Sequence, residues 1–254
     1  MLKNIIFTVL LVFMTGCAVT KTAYTERTQV MLMSEEEELS IGESEAKKIL
    51  QSSKVSSDWI AKARVERIGK RIAEVSEKDY NWEFHLIEED VLNAFCLPGG
   101  KVFVYTGILK VAENDDQLAT VMSHEIAHAL ARHGAERVSM AKMNQVGHTL
   151  LSAVLNIENP AYKQIFDTAY GVGTNVALML PHSRDNESEA DYIGLVLMAK
   201  AGYDPKEAIG FWENMKKQKG SSEQIPFLST HPTDDKRIED IRASLPKVMN
   251  EVNR

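Results

Sequence analysis

The sequence predicts a mainly helical α+β domain with a small β-sheet. Three observations carry that expectation. Helical patterns account for most of the chain between Ser34 and Leu245. The period drops to two at Trp82, where Trp82, Phe84 and Leu86 alternate with polar partners, as a strand requires. A run of helix formers from Gln117 to Arg132 holds two histidines and a glutamate among apolar residues, and a polar triplet on a half-buried helix needs a reason.

The 254 residues are 44% hydrophobic and 26% charged, enough for one sizeable core. A formal charge of −7 without a basic block argues against a nucleic-acid surface. Residues 1–16 read as a signal peptide: Lys3 is followed by an apolar stretch, Ile5 to Met14, too short to span a bilayer. Met14-Thr15-Gly16-Cys17 resembles the lipobox of bacterial lipoproteins, with Met14 where leucine is usual and Cys17 as the lipidated residue. The alternative is an ordinary signal peptide with an incidental Cys17. Ala18 puts no acid after the cysteine, which in that class implies the outer membrane. Residues 17–33 are polar and read as a tether. Cys96 is then the only free thiol of the mature chain, so no intramolecular disulfide is available. Between Phe95 and Leu97 it reads as a buried small hydrophobe rather than a nucleophile.

The domain proper is expected over 34–245. Ser34 and Glu37 form a capping box for a helix to about Leu50. A second helix, Ser57 to Ser76, would bury Ile60, Val65, Ile68, Ile72 and Val75. After the strand at Trp82, Pro98-Gly99-Gly100 marks a tight turn, so 95–97 and 102–105 can pair as a hairpin. Such an edge can bind an extended peptide through main-chain hydrogen bonds, or merely cover the core. Gly107 to Val111 reads as a short helical link, and Asn114 or Asp115 caps the central helix. Ala135 to Leu180 has mixed helical character, with an apolar patch at Leu150, Leu151, Val154, Leu155 and Ile157 that reads as core or as a membrane or partner contact. A helix from Arg184 stops at Gly202. Two more follow, Pro205 to Lys219 and Asp234 to Ala243, and then a polar tail, 246–254.

The chemistry lies in His124-Glu125-Ile126-Ala127-His128. Positions four apart share a helix face, so both imidazoles can reach one atom. Two neutral imidazoles suit a zinc ion, and Glu125, about 100° round the helix, can reach a water there as general base. A third ligand should come from another element. Glu187 and Asp191, again four apart, fit: Glu187 as ligand, and Asp191 as acceptor of the second ring N–H of a ligand histidine, His124. Two histidines and a glutamate leave a position open, the pattern of a catalytic rather than a structural site. Glu189 points elsewhere and reads as a solvated surface carboxylate.

These residues, with Ser183-Arg184, Asn93-Ala94-Phe95, Pro98-Gly99-Gly100 and Thr230-His231-Pro232, resemble the zinc metallopeptidase family of the CaaX prenyl proteases and the heat-shock protease HtpX. With the lipobox, the chain is most similar to the branch of periplasmic lipoproteins that includes the β-barrel assembly-enhancing protease, to which the mitochondrial overlapping-activity protease is related. The resemblance implies a gluzincin-type fold, one Zn2+ held by His124, His128 and Glu187, Glu125 as catalytic base, and Asp191 behind the ligands. It implies a substrate cleft around Asn93, Ala94, Phe95, Gly99 and Gly100. It also implies a gate at His231, and Arg237 either holding that segment or stabilising an oxyanion. His182 departs from the family pattern, where an aromatic residue is expected, and His133 and His148 receive no role.

The function expected is that of a zinc-dependent endopeptidase, tied to the outer membrane through Cys17 and facing the periplasm. Its expected substrates are unfolded or misassembled envelope proteins. The alternative is an assembly factor or chaperone for outer-membrane proteins with a gated zinc site. A third reading, a zinc hydrolase of cell-wall peptides, shares the same metal chemistry.

Overall fold

Asn114 begins the central helix of the unit that carries the candidate site. The computed structural model describes residues 19–143, 183–218 and 225–253. The asparagine side chain accepts a hydrogen bond from the Gln117 amide at 2.8 Å and starts helix α3, Asp115–Leu130, with Asp115 and Asp116 in its first turn. Every residue of α3 from Gln117 to Leu130 is buried. A helix buried all round is the centre of a core, not an amphipathic cover.

Around α3 lie the other elements of one unit, formed by Glu35–His133 and Pro181–Arg254. Helix α1, Glu35–Ser52, buries Glu38, Gly42 and Ala46, a stripe at intervals of four. Helix α2, Trp59–Val75, is capped by Asp58, whose carboxylate accepts from Ile60 and Ala61. Its buried residues are Val65, Ile68, Gly69 and Ile72, as the periodicity requires, but Ile60 is 63% exposed and Val75 only partly buried. The reason is angular: at about 100° per residue, Ile60 lies roughly 80–140° from Val65, Ile68 and Ile72.

The sheet is β3 (Glu83–Ile87), β5 (Lys101–Tyr105) and β4 (Ala94–Leu97), in that order across it. β3 pairs parallel to β5, and β4 pairs antiparallel to β5 with Phe95 opposite Phe103, the expected hairpin. Gly99 and Gly100 make its turn at φ of +80° and +83°, where a side chain would be strained. Central β5 is buried at Lys101, Val102, Phe103 and Val104; Lys101 is satisfied by Glu83 at 2.6 Å and the Asn81 carbonyl at 2.7 Å. A 3-10 turn, Thr106–Lys110, leads on to α3, in the place of the expected helical link.

Helix α4, Arg184–Lys200, is capped by Ser183 and packs directly on α3. A Cβ on Gly194 would stand 3.2 Å from the His124 amide nitrogen, so glycine allows the two helices their close approach. Helices α5 (Glu207–Gln218), α6 (Pro226–Thr230) and α7 (Asp235–Val252) complete the unit. The last helix does not stop near Ala243. It runs through Pro246 to Val252, with Val248 fully buried near its end, so the expected tail is helical as far as it is described.

The second unit comprises Met1–Ser34 and Gly134–Leu180. Within its described part, β1 (Val19–Lys21) pairs antiparallel with β2 (Thr28–Val30), and residues 134–143 are helical. Met31, Met33 and Ala135 form a small cluster, and Arg27 makes a two-pronged pair with Glu136 at 2.8 and 2.7 Å. Within the segment expected to be a polar tether, Val19–Val30 is thus a two-stranded hairpin, followed by the buried Met31 and Met33. Lys3, Ile5 to Met14, Cys17, His148, the apolar patch at Leu150 to Ile157, and His182 lie outside the described residues. Among the described residues, no helix is long and apolar enough to cross a membrane.

Candidate metal centre

His124 and His128 stand one turn apart on α3, and Glu187 reaches them from the first turn of α4. His231, the C-cap of α6, completes the group. The four side chains are buried, and each offers one donor atom within 4.8 Å of all the others. The individual spacings are tighter. His124 Nε2 lies 3.0 Å from His128 Nε2 and 3.2 Å from His231 Nδ1. Glu187 Oε1 lies 3.2 Å from His128 Nε2 and 3.0 Å from His231 Nδ1, and its Oε2 is 3.4 Å from His124 Nε2. Ligand atoms bonded to a tetrahedral zinc at about 2.0–2.1 Å stand about 3.3 Å apart, so this donor set has the size of a single-zinc site.

The proton inventory supports the same fit. His124 Nδ1 is 3.0 Å from Asp191 Oδ1, the contact expected from the sequence. Asp191 fixes the ring proton on Nδ1 and leaves Nε2 a lone pair aimed at the other donors. Lone pairs of adjacent nitrogens repel unless a cation lies between them. A proton can serve: burial alone would lower the pKa of His124, but hydrogen bonds to Asp191 and Glu187 outweigh burial and raise it to about 9. Burial likewise opposes ionisation of Glu187, and its hydrogen bonds to His124, His128 and His231 override it, holding the carboxyl far below the usual range. The site is built for positive charge.

Glu125 sits beside this group. Its Oε1 is buried, has no hydrogen-bond partner among the described residues, and lies 3.4 Å from His231 Nε2. Burial pushes its pKa up, against the lowering pull of His231 and His124. An orphaned carboxylate oxygen facing the donors is where a proton acceptor would be needed.

Arg237 closes the site from α7. Its Nε and Nη2 bind both oxygens of Asp191 at 2.8 and 2.7 Å, while Nη1 reaches Glu187 Oε2 at 3.0 Å and donates to the Pro232 carbonyl at 3.0 Å. The guanidinium lies 3.5 Å over the Trp212 ring, and Trp212 meets His124 edge-on.

The hairpin residues are placed as follows. Ala94 begins β4, a strand at the sheet edge that packs beside α3, with Asn93 just before it and its carbonyl accepting from Tyr105. Burial, and secondarily the charge of Glu125, push the Cys96 thiol well above its ordinary range, which makes it inert as a nucleophile and sets it near the base. Gly99 and Gly100 are at the far turn. The Pro98 carbonyl there lies where a Cβ on Gly42 of α1 would be.

One expectation at the site is overturned, and one residue is added to it. Glu189 is not a solvated carboxylate: it is 6% exposed and 3.0 Å from His133 Nε2. His133, which had no role, is fully buried with Nδ1 2.8 Å from His128 Nδ1. Helical periodicity could not reveal His133, because α3 ends at Leu130 and Arg132, with a φ of +59°, breaks the spacing; Glu189 stands four residues before buried Ile193, a spacing that does place it on a buried face. Trp212 was also missed; a lone tryptophan on a core helix carries no signal of its neighbours.

The comparisons agree with this geometry. Residues 60–245 match the model of peptidase family M48. The mitochondrial metalloendopeptidase OMA1 of Schizosaccharomyces pombe is 42% identical over 185 residues, which cover 72% of this chain and 52% of that protein. The metalloendopeptidase OMA1 of Homo sapiens is 32% identical, covering 66% of this chain and 33% of that protein. The beta-barrel assembly-enhancing protease of Escherichia coli K12 is 29% identical, covering 81% and 43%. The chain spans about half the length of these relatives, or less. The family is zinc-dependent, in accord with a donor set sized for one ion. With most of its length matched, the chain belongs to peptidase family M48.

Proposed function

We propose that this chain is a zinc-dependent endopeptidase that cleaves unfolded or misassembled proteins of a bacterial envelope. The observation that carries the reading is a buried Glu125 oxygen, without a hydrogen-bond partner among the described residues, beside a buried group of three histidines and a carboxylate. His124, His128 and Glu187 are the zinc ligands. The ion supplies Lewis acidity, which polarises a carbonyl and acidifies water. Glu125 takes the proton of the attacking water at Oε1 and hands it to the leaving amide nitrogen. Asp191 holds His124 in the ligating tautomer. Arg237 spends its N–H groups on Asp191, Glu187 and Pro232, so its part is to hold the carboxylates and the His231 loop rather than to bind an oxyanion. His231 fills the fourth corner of the donor set and is the gate that must leave before substrate enters. β4, beside α3 at the sheet edge, is the strand along which an extended peptide would lie, with Asn93, Ala94 and Phe95 nearest the chemistry.

Anchoring through a lipid on Cys17, at the outer membrane and facing the periplasm, rests on the Met14–Cys17 motif. The test is cleavage of casein by the purified protein, beside Glu125→Gln and a chelated sample with zinc restored. The expected outcome is zinc-restored cleavage in the wild type and a loss of about 100-fold or more in the variant. Cleavage unaffected by Glu125→Gln would overturn the reading. A second reading, an assembly factor with a closed site, is favoured by His231 standing among the donors; it requires client binding that survives Glu125→Gln.

A further inference from the structure

We propose that His133 and Glu189 are positioning residues for the metal site, a buried carboxylate–imidazole relay that orients His128. The inference rests on the zinc-peptidase reading above and deepens it.

Two imidazole nitrogens 2.8 Å apart, His133 Nδ1 and His128 Nδ1, share one proton. Its owner follows from the other side of the ring. His133 Nε2 is 3.0 Å from Glu189 Oε2, and an ionised carboxylate only accepts, so a neutral His133 carries its proton on Nε2. Its Nδ1 then accepts, and His128 must donate from Nδ1. That leaves His128 Nε2 a bare lone pair, directed at His124 Nε2 and Glu187 Oε1. The opposite tautomer would put an N–H among the donors, where a cation has to bind. His124 receives the same service directly from Asp191. The two ligand imidazoles are therefore supported alike, one by a carboxylate and one by a carboxylate acting through a second imidazole.

The chain accepts strain to build this relay. On a continued helix His133 would lie about 140° round from His128. Arg132 instead takes the left-handed conformation, at a φ of +59° that side chains other than glycine's rarely adopt. Its guanidinium is held by Glu38 at 2.6 Å. The reversal brings His133 back against His128, and all three relay side chains are shielded from bulk water.

The test measures zinc affinity by chelator competition, together with the melting temperature of the metal-free protein, for wild type, His133→Phe and Glu189→Gln. His133→Phe keeps a planar ring, somewhat larger, and removes both ring nitrogens; zinc binding is expected to weaken about 10–100-fold. Glu189→Gln keeps an acceptor and loses the charge, so its affinity should fall less. If His133→Phe fails to fold, weaker zinc binding by Glu189→Gln still supports the relay. Wild-type affinity in the folded variants overturns it, and a merely structural His133 would give that result with a lowered melting temperature. Failure of the wild-type protein to bind zinc would overturn the peptidase reading itself, a separate outcome.

Discussion

The two sides of the metal centre are built differently. On one side, His124, His128 and Glu187 stand on α3 and α4, long helices whose facing surfaces are buried and whose approach is set by Gly194. On the other, His231 caps α6, a helix of five residues, just before the turn into α7. The three donors on rigid elements have their partners fixed by packing and by Asp191, Glu189 and Arg237. The fourth donor is held by its own contacts with the site, by Phe227, and by the Arg237 bond to Pro232. Under the proposed function, the contrast teaches that the permanent ligands stand where the core makes movement costly, and the exchangeable one where a short segment can shift.

The largest effect expected from breaking this contrast is at Glu187. Glu187→Gln removes the charge with little change in shape. It should weaken zinc binding more than about 100-fold and abolish casein cleavage. Zinc retained in that variant, measured by metal analysis after dialysis, would mean that the helix side is not what holds the ion.

A smaller effect concerns the proton that stands in for the metal. The pKa of His124 is raised from 6.5 to about 9, so its stabilising contribution is complete below pH 6.5 and is lost as the pH rises through 9. Glu187 and Asp191 are held below their ordinary values, so their contributions persist from neutrality into the acid range. Metal-free protein should therefore lose up to about 3 kcal/mol between pH 6.5 and the alkaline side of pH 9. The zinc-loaded protein should not, because the ion replaces the proton. Thermal melts of both forms across that range decide it; parallel profiles would break the link between proton and metal.

The smallest effect is at the other side. His231→Ala should keep zinc bound and raise casein cleavage severalfold, a change of about 1 kcal/mol in barrier. Loss of zinc comparable to that of Glu187→Gln would show instead that His231 is a permanent ligand, and the two sides would no longer differ.

Much of this centre was legible before any fold was known, wherever a helix places residues by rule. The spacing of His124 and His128, and of Glu187 and Asp191, follows from four residues making about one turn. The Asp191–His124 contact and the Pro98-Gly99-Gly100 hairpin were equally accessible. The errors have separate causes. Ile60 is apolar yet lies off the packed face; Pro246 breaks helices in general yet sits inside one anchored by Val248. At Ile60 the helical angle outweighed residue type, and at Pro246 tertiary contacts outweighed local preference.

The sequence by itself determined the metal-binding helix, the carboxylate helix and the glycine turn, because regular backbone geometry converts spacing into direction. Only the tertiary structure decided that His133 turns back beneath His128, that Glu189 meets it there, and that Arg237 binds two carboxylates at once. Those contacts cross between elements or follow a reversal at one left-handed residue. Their geometry depends on how buried surfaces fit together, and no interval along the chain encodes that.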